Sequence, residues 1–403
     1  MDITMNDEDD GYVIVSKPTW PSSPSIEPRP RLLDTICRIS DHIAEAFWPV
    51  NLRIHDHPEL GYEEFIAHEA LTTFMSSQQG WKVTPSAYGL KTAWIAVYDT
   101  GRKGAVVSFN AEMGMGHACG HNLIASASVI GAVTAAKVME EMEIPGKVVL
   151  LGTPAEEGIV ADAARTSTTA YEQLKVEYHG RAAHAAVNPW LGINALDALI
   201  SAYNSISLLR QQFMPGDIVQ GHITDGGLKP NIIHAYASGS FVIRATTQSR
   251  LDELREKVYA CFTAGATATG ARLVVTRGGA YKDHIANEVL AQRYAPYFNA
   301  LEPDFKILEN ADLDRARGVS PASSDQGDIS HAMPSLSPWF YIHPGPKGQG
   351  PHNPEFADAA RKKDAYNRAV RVGKGLVGVA LDVLQSPDLL ERVKRAWQES
   401  MKP

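Results

Sequence analysis

Three side chains able to ligate soft divalent metals, His117, Cys119 and His121, alternate along the stretch GHACGHN (116–122). Thiolate and imidazole are the donors that zinc and its neighbours prefer. One helix and one strand downstream, TPAEEG (153–158) carries the adjacent carboxylates Glu156 and Glu157. A metal that acidifies a bound water needs a base to take the proton, and paired carboxylates can supply both a ligand and that base. Each motif has a plainer alternative. Cys119 alone reads as a small buried apolar residue, and two adjacent acids alone read as a solvated helix start. Together, with the acids following a buried strand, they read as a hydrolytic metal site.

The elements that must carry these residues follow from hydrophobic periodicity. A helix is expected from Arg31 onward. Buried strands are expected at 94–98, 105–109 and 148–151, with a long Ala-rich helix at 123–142 ended by Ile144-Pro145-Gly146. Strand, helix, strand in this order predicts an α/β fold with a mixed, mostly parallel sheet covered by helices. Sites in such sheets gather at the carboxyl ends of strands, where both motifs lie. The rhythm changes near Leu174. Strands at 174–180, 217–223, 231–246 and 271–277, with helices at 191–210 and 251–266, follow the order βαββαβ of a ferredoxin-like unit. The first pattern then resumes with a helix at 288–298, a strand at 338–342 (PWFYI) and a helical tail at 356–397 broken near Ser386-Pro387. The expected organisation is a leader at 1–29, a catalytic domain at 30–171 and 284–403, and an inserted lid and dimerisation domain at 172–283.

Composition narrows the function classes. A chain of 403 residues is long enough for two cores. The formal net charge of −8 offers no basic patch for nucleic acid and no polybasic membrane anchor. No apolar run is expected to span a bilayer. The acidic start MDITMNDEDD fits a cytoplasmic chain. Three widely spaced cysteines, Cys37, Cys119 and Cys261, make no disulfide framework and fit a reducing compartment.

Seven motifs in fixed order make the reading specific: HDHPELGYEE, GHACGHN, TPAEEG, YHGRAAHAA, GGLKPNIIH, SSDQGDISH and PHNPEF. From about Arg31 to the C-terminal helix, the chain resembles the zinc-dependent aminoacylase and amidohydrolase metallopeptidases. That family includes hippurate hydrolase, indole-acetyl-amino-acid hydrolases and β-alanyl-lysine-type dipeptidases, and the dipeptidase-like branch is the nearest in its motifs. The resemblance implies a zinc-exopeptidase-like fold and one or two divalent ions, zinc first, with manganese or cobalt as alternatives. It implies Cys119, His121, Glu157 and His352 as metal ligands and Glu156 as the general base. His184 is implied as a histidine that steadies the substrate carbonyl, often across a dimer interface. Asn231 and Arg244 are implied as grips for a substrate carboxylate, a role that suits a guanidinium fork. The implied reaction is hydrolysis of the amide bond of a dipeptide or N-acyl amino acid by a homodimer joined through the lid.

Two stretches depart from the family pattern. Only Met113-Gly114-Met115-Gly116 separates Glu112 from His117, so the family's Asp-Ala-Leu-Pro element has no counterpart. Gly158 runs through IVADAARTSTTAYEQ straight into the lid, so the strand ending in a ligand His-Pro-Gly is missing. Three explanations stay open: a degenerate member, missing segments, or replacement of the absent ligand by His117, His331 or His343. Two rival functions go with them, amide formation or cyclisation in a biosynthetic pathway, and binding without catalysis. Asp325 and Asp328 read as capping or supporting groups. His55 and His57 read as part of a helix-to-loop corner.

Overall fold

The structure is a computed structural model that describes residues 28–59, 61–113, 120–154, 163–165, 167–308, 320–348 and 350–402. The expected leader falls almost wholly outside them. Helix α1 (Pro30–His55) starts on a proline whose missing N–H costs nothing at that position. It buries Leu32, Ile36, Ile39, Ile43, Phe47 and Ile54 on one face at helical spacing. Helix α2 (Phe65–Ser76) and strand β1 (Trp81–Pro85) follow. The first sheet comprises β1, β2 (Trp94–Asp99), β3 (Val106–Met113) and β4 (Lys147–Pro154), in the order β1-β2-β4-β3.

The α/β class with its inserted domain stands, but the predominance of parallel strands does not extend to the described pairings. Only β3 and β4 are parallel, because α3 (His121–Glu141) crosses between them. Strands β1 and β2 run antiparallel, and so do β2 and β4. The expected strand at 338–342 is also absent as an element. Trp339 makes a single bridge to Ala163, with N–O distances of 3.0 and 3.2 Å. Pro338 beside it has no N–H to extend a ladder.

Helix α3 is the spine of this domain. By length and mean hydropathy (1.5) it could cross a membrane, contrary to the expectation that no run could. It is instead wrapped by α1, β3 and a later helix, and its apolar window is 89% buried inside the fold. A helix that is apolar all round is expected to be buried in this way in the core of a large domain.

The inserted domain has β5 (Ala170–His179), β7 (Ile218–Asp225), β9 (Tyr236–Ala245) and β10 (Arg272–Tyr281) in the order β10-β5-β9-β7, all antiparallel. Helices α4 (Ala195–Leu209) and α5 (Gln248–Thr269) pack together over this sheet around Leu174, Tyr178, Phe241 and Phe262. They meet so closely at Gly265 that a Cβ there would lie 2.2 Å from the Ala198 carbonyl oxygen. Helix α4 starts later than expected because the Asn194 side chain caps Leu196 and Asp197 at 3.0 and 3.4 Å. The single strand expected at 231–246 splits. Its first part, β8 (Ile232–Ile233), leaves the main sheet to pair with β6 (Ala183–His184).

Helix α6 (Glu288–Asn299) returns the chain to the first domain, followed by α7 (Gln326–Ala332). The helical tail forms α8 (Pro354–Ala360), α9 (Lys363–Gln385) and α10 (Pro387–Ser400). It therefore breaks at Arg361-Lys362 as well as at Ser386-Pro387. Helix α9 crosses α3 where a Cβ on Gly373 would stand 2.7 Å from the Ala127 carbonyl oxygen.

Candidate metal centre and catalytic site

Glu112 is the last residue but one of β3, and the chain re-enters the described residues at Gly120, which caps α3 with φ +79°. Glycine tolerates that left-handed turn without strain. His121 follows as the first helical residue and is 1% exposed. Its neighbour Asn122 anchors the helix start, donating through Nδ2 to Asn51 Oδ1 at 2.9 Å and to the Ala360 carbonyl at 3.2 Å. Ser126 also donates to Asn51 Oδ1, at 3.1 Å. One buried asparagine on α1 thus fixes where α3 begins, and with it where His121 stands.

PHNPEF is drawn to the same place. Asn353 caps α8 by accepting from the Phe356 N–H at 3.1 Å, and the Phe356 ring lies 3.9 Å from where a Gly120 Cβ would be. His352, just before the cap, is exposed and has φ +69°. For a residue other than glycine this conformation costs about 1–3 kcal/mol and tends to occur at functional sites. The corner at His55 braces α8 from outside. Its Nε2–H donates to the Ala357 carbonyl at 2.8 Å, and Asp56 holds Arg361 through two bonds of 2.7 and 2.8 Å. Both histidines of HDHPEL serve this corner as expected, His57 Nδ1–H closing onto the Arg53 carbonyl at 2.8 Å.

A small cavity is lined by His57, Glu59, Glu64, Glu112, His121 and Asn122. Glu112 is the residue that sequence reasoning missed. It is 7% exposed and accepts from Gln326 Nε2 at 3.1 Å. Burial, with the negative charge of Asp325 adding to it, pushes its carboxyl up to about 8. The signal was present in the sequence as an acid closing an apolar strand, but only burial distinguishes it from a solvated one.

Cys119, Glu156 and Glu157 lie outside the described residues, as does His117. Among the described residues no three His, Cys, Asp or Glu side chains form a metal cluster. A buried imidazole beside a buried carboxyl nonetheless matches the donor chemistry of a divalent cation. The other two candidates for the missing ligand are engaged elsewhere. His331 lies 3.4 Å from Asp283 at the base of the lid, and His343 is 2.8 Å from Arg368 on α9.

The lid residues separate into two places. His184 on β6 faces Ile232 on β8, and the Asn231 carbonyl accepts from the Ala185 N–H at 3.0 Å. His184 and Asn231 are therefore neighbours. His184 Nδ1 accepts from the N–H groups of Ala186 and Val187, both at 3.2 Å. Two donors on Nδ1 leave the ring proton on Nε2. Arg244 lies eight residues beyond the start of β9, about 26 Å along the strand and towards the end where the chain enters and leaves the inserted domain. Its Nη1 donates to Ser323 Oγ at 2.9 Å and to the Pro321 carbonyl at 3.3 Å, and its guanidinium lies 4.8 Å from the Tyr171 ring centre. Asn231, before β8, and Arg244, near the end of β9, lie far apart along the inserted domain.

Comparison with known proteins bears on the family of the chain. Residues 171–268 match the peptidase dimerisation domain family. The Xaa-Arg dipeptidase of Mus musculus is 34% identical over 424 residues, covering 96% of each chain. That span exceeds the 403 residues of this chain, so the relative carries residues that this chain lacks. The Homo sapiens Xaa-Arg dipeptidase is also 34% identical, over 89% of this chain and 90% of its own. Among solved structures, a putative aminohydrolase from methicillin-resistant Staphylococcus aureus has a TM-score of 0.68 at 16% identity, covering 88% of this chain and 99% of its own. A dinuclear metal-binding peptidase of the M20 family from Bacillus subtilis has a TM-score of 0.58 at 15% identity, with the same coverage.

Proposed function

From its membership of the M20 family of peptidases and amidohydrolases, shown by relatives matching it along nearly its whole length, we propose that this chain hydrolyses the amide bond of a dipeptide or N-acyl amino acid. The single observation that carries the site assignment is the buried His121, held at the start of α3 and lining one small cavity with the buried Glu112 of β3. Cys119, His121, Glu157 and His352 are the proposed ligands of a divalent metal, zinc first. Held by these residues, such an ion would supply acidification of a water, to a pKa of about 7, and polarisation of the substrate carbonyl.

The chain's own groups do the rest. Glu156 takes the proton of the attacking water and passes it to the departing amine. His184 offers an Nε2–H to the oxygen on which negative charge develops, an assignment supported by its two Nδ1 acceptor bonds. Asn231, adjacent to it, is the proposed grip on the substrate. Both lie at the β6–β8 ribbon, away from where the chain enters and leaves the inserted domain, which favours a homodimer in which one lid serves the other subunit's site. The match to a dimerisation domain supports that arrangement. Arg244 is better read as a positioning residue for the loop that carries Asp325 and Gln326.

The test is Glu156→Gln. Hydrolysis of a set of dipeptides and N-acyl amino acids should fall by orders of magnitude while the metal is retained. Near-normal turnover in that variant would refute the assignment.

A further inference from the structure

Native interiors hold few voids larger than a water molecule. The described residues nonetheless enclose a cavity of about 520 Å³ between β3 and α9. Val372, Leu376, Val379 and Val383 form an apolar stripe along it on a single face of α9. On the side of β3, the consecutive residues Val106, Val107, Ser108, Phe109 and Asn110 all line it. Successive strand residues point to opposite faces, so the cavity meets the edge of β3 and not one face. That edge is open: β3 pairs with β4 and with no other described strand. An open edge presents a row of backbone N–H and C=O groups that template pairing with another strand. Asn110 adds a further unmet demand. Its Oδ1 accepts from Thr153 at 2.8 Å, while its Nδ2 is buried with no hydrogen-bond partner among the described residues. A buried donor left unpaired is costly. The cavity therefore lacks an apolar filling and hydrogen-bond partners together. An extended apolar peptide supplies both, whereas an aliphatic small molecule supplies only the first.

The chain carries such a peptide, and it is attached close by. Within the leader, Tyr12-Val13-Ile14-Val15 is the longest run of β-branched and aromatic residues. It stands between the acids Asp7 to Asp10 and a stretch interrupted by Pro18, Pro21 and Pro24, which cannot donate to a ladder. A strand apolar at every position suits a place covered on both faces. The leader joins α1 at Arg29, whose guanidinium donates to Gln385 Oε1 at 3.3 Å and to Asp382 Oδ1 at 3.4 Å. Both partners lie on the same turn of α9 as the cavity-lining Val383. The stretch from Val15 to Pro28 can span about 40 Å when extended, and the whole of β3 is only about 26 Å long. The tether therefore reaches every position along the edge, and attachment through it gives an effective concentration on the order of millimolar.

We infer that Tyr12 to Val15 docks in this cavity as a strand on the free edge of β3, so that the first sheet is completed by a segment of its own chain. Hydrogen exchange on the full chain tests this. The amides of Val13, Ile14 and Val15 should exchange at least about tenfold more slowly than those of Ser22 to Ile26 in the same leader. Ile14→Asp, which would place a charge in the apolar cavity, should abolish that protection and speed exchange along β3 by a similar factor. A synthetic peptide of residues 10–17, added to the Ile14→Asp chain, should restore the protection of β3, and the same peptide carrying Ile14→Asp should not. The comparison within the unsubstituted chain stays decisive even if the variant does not fold. Equal exchange at 13–15 and 22–26 would overturn the inference, and so would β3 amides indifferent to Ile14→Asp. Restoration by dodecanoate but not by the peptide would assign the cavity to a small apolar ligand instead. Loss of the protection at 13–15 on dilution to the monomer would place the segment on a second copy and overturn docking within one chain.

Discussion

The Nδ1 atom of His184 lies 3.2 Å from the backbone nitrogen of Val187. The turn that follows β6 therefore fixes the ring so that only Nε2 carries a proton to offer. A neutral imidazole so arranged can donate to a developing oxyanion but cannot act as a base through the same atom. His184→Ala should lower kcat by about 10²–10³-fold with unchanged metal content. A change confined to KM would show that His184 only binds substrate.

Glu112 gives a pH signature of stability. Its folded carboxyl is raised from the ordinary 4.5 to about 8 by burial and by the charge of Asp325. Below the lower value both folded and unfolded chains hold the proton, and the contribution of this group to stability is complete. As pH rises towards about 8 the unfolded chain releases the proton while the folded one retains it, so stability is progressively lost. The Tm of metal-free Glu112→Gln should accordingly gain on that of the unsubstituted protein between the two values. A constant difference across that window would show that Glu112 ionises normally.

Arg244 ties the lid to the loop that leads into α7. Through Ser323 it steadies the segment whose Gln326 holds Glu112. Arg244→Ala should depress kcat with little effect on KM, and Arg244→Lys should restore part of the loss, because one donor to Ser323 remains possible. A KM effect alone would return Arg244 to the substrate.

The lid has its own buried charge cluster. Glu172, with a side chain 1% exposed, is held by Arg255 at 3.1 Å and by Arg277. Arg255→Ala removes one of two partners of a buried carboxylate and should cost about 2–3 kcal/mol in urea unfolding. It should also weaken the dimer if the lid forms the interface, which sedimentation would detect. A loss below about 0.5 kcal/mol, the scale of an exposed pair, would show that Arg277 alone suffices.

The sequence made position legible where a local pattern carries it. His121 was readable from GHACGHN, and the inserted domain from its βαββαβ order, because both patterns are local. Asn51 was not readable, since a polar residue within the apolar stripe of α1 acquires meaning only from Asn122 and Ser126, more than seventy residues away. Strand β1 escaped notice because it is five residues long and mostly exposed. PWFYI has the composition of a strand, but it opens on Pro338 and no described strand pairs along it. Arg244 reads as a carboxylate fork by type, and its bond to Ser323 becomes visible only in the fold.

The metal content of the purified protein bears most directly on the central claim. Elemental analysis should find at least one divalent ion per chain, and His121→Ala, expressed and purified in parallel, should have lost it together with amide hydrolysis. Amide cleavage by a metal-free chain, or full metal occupancy in His121→Ala, would contradict the account.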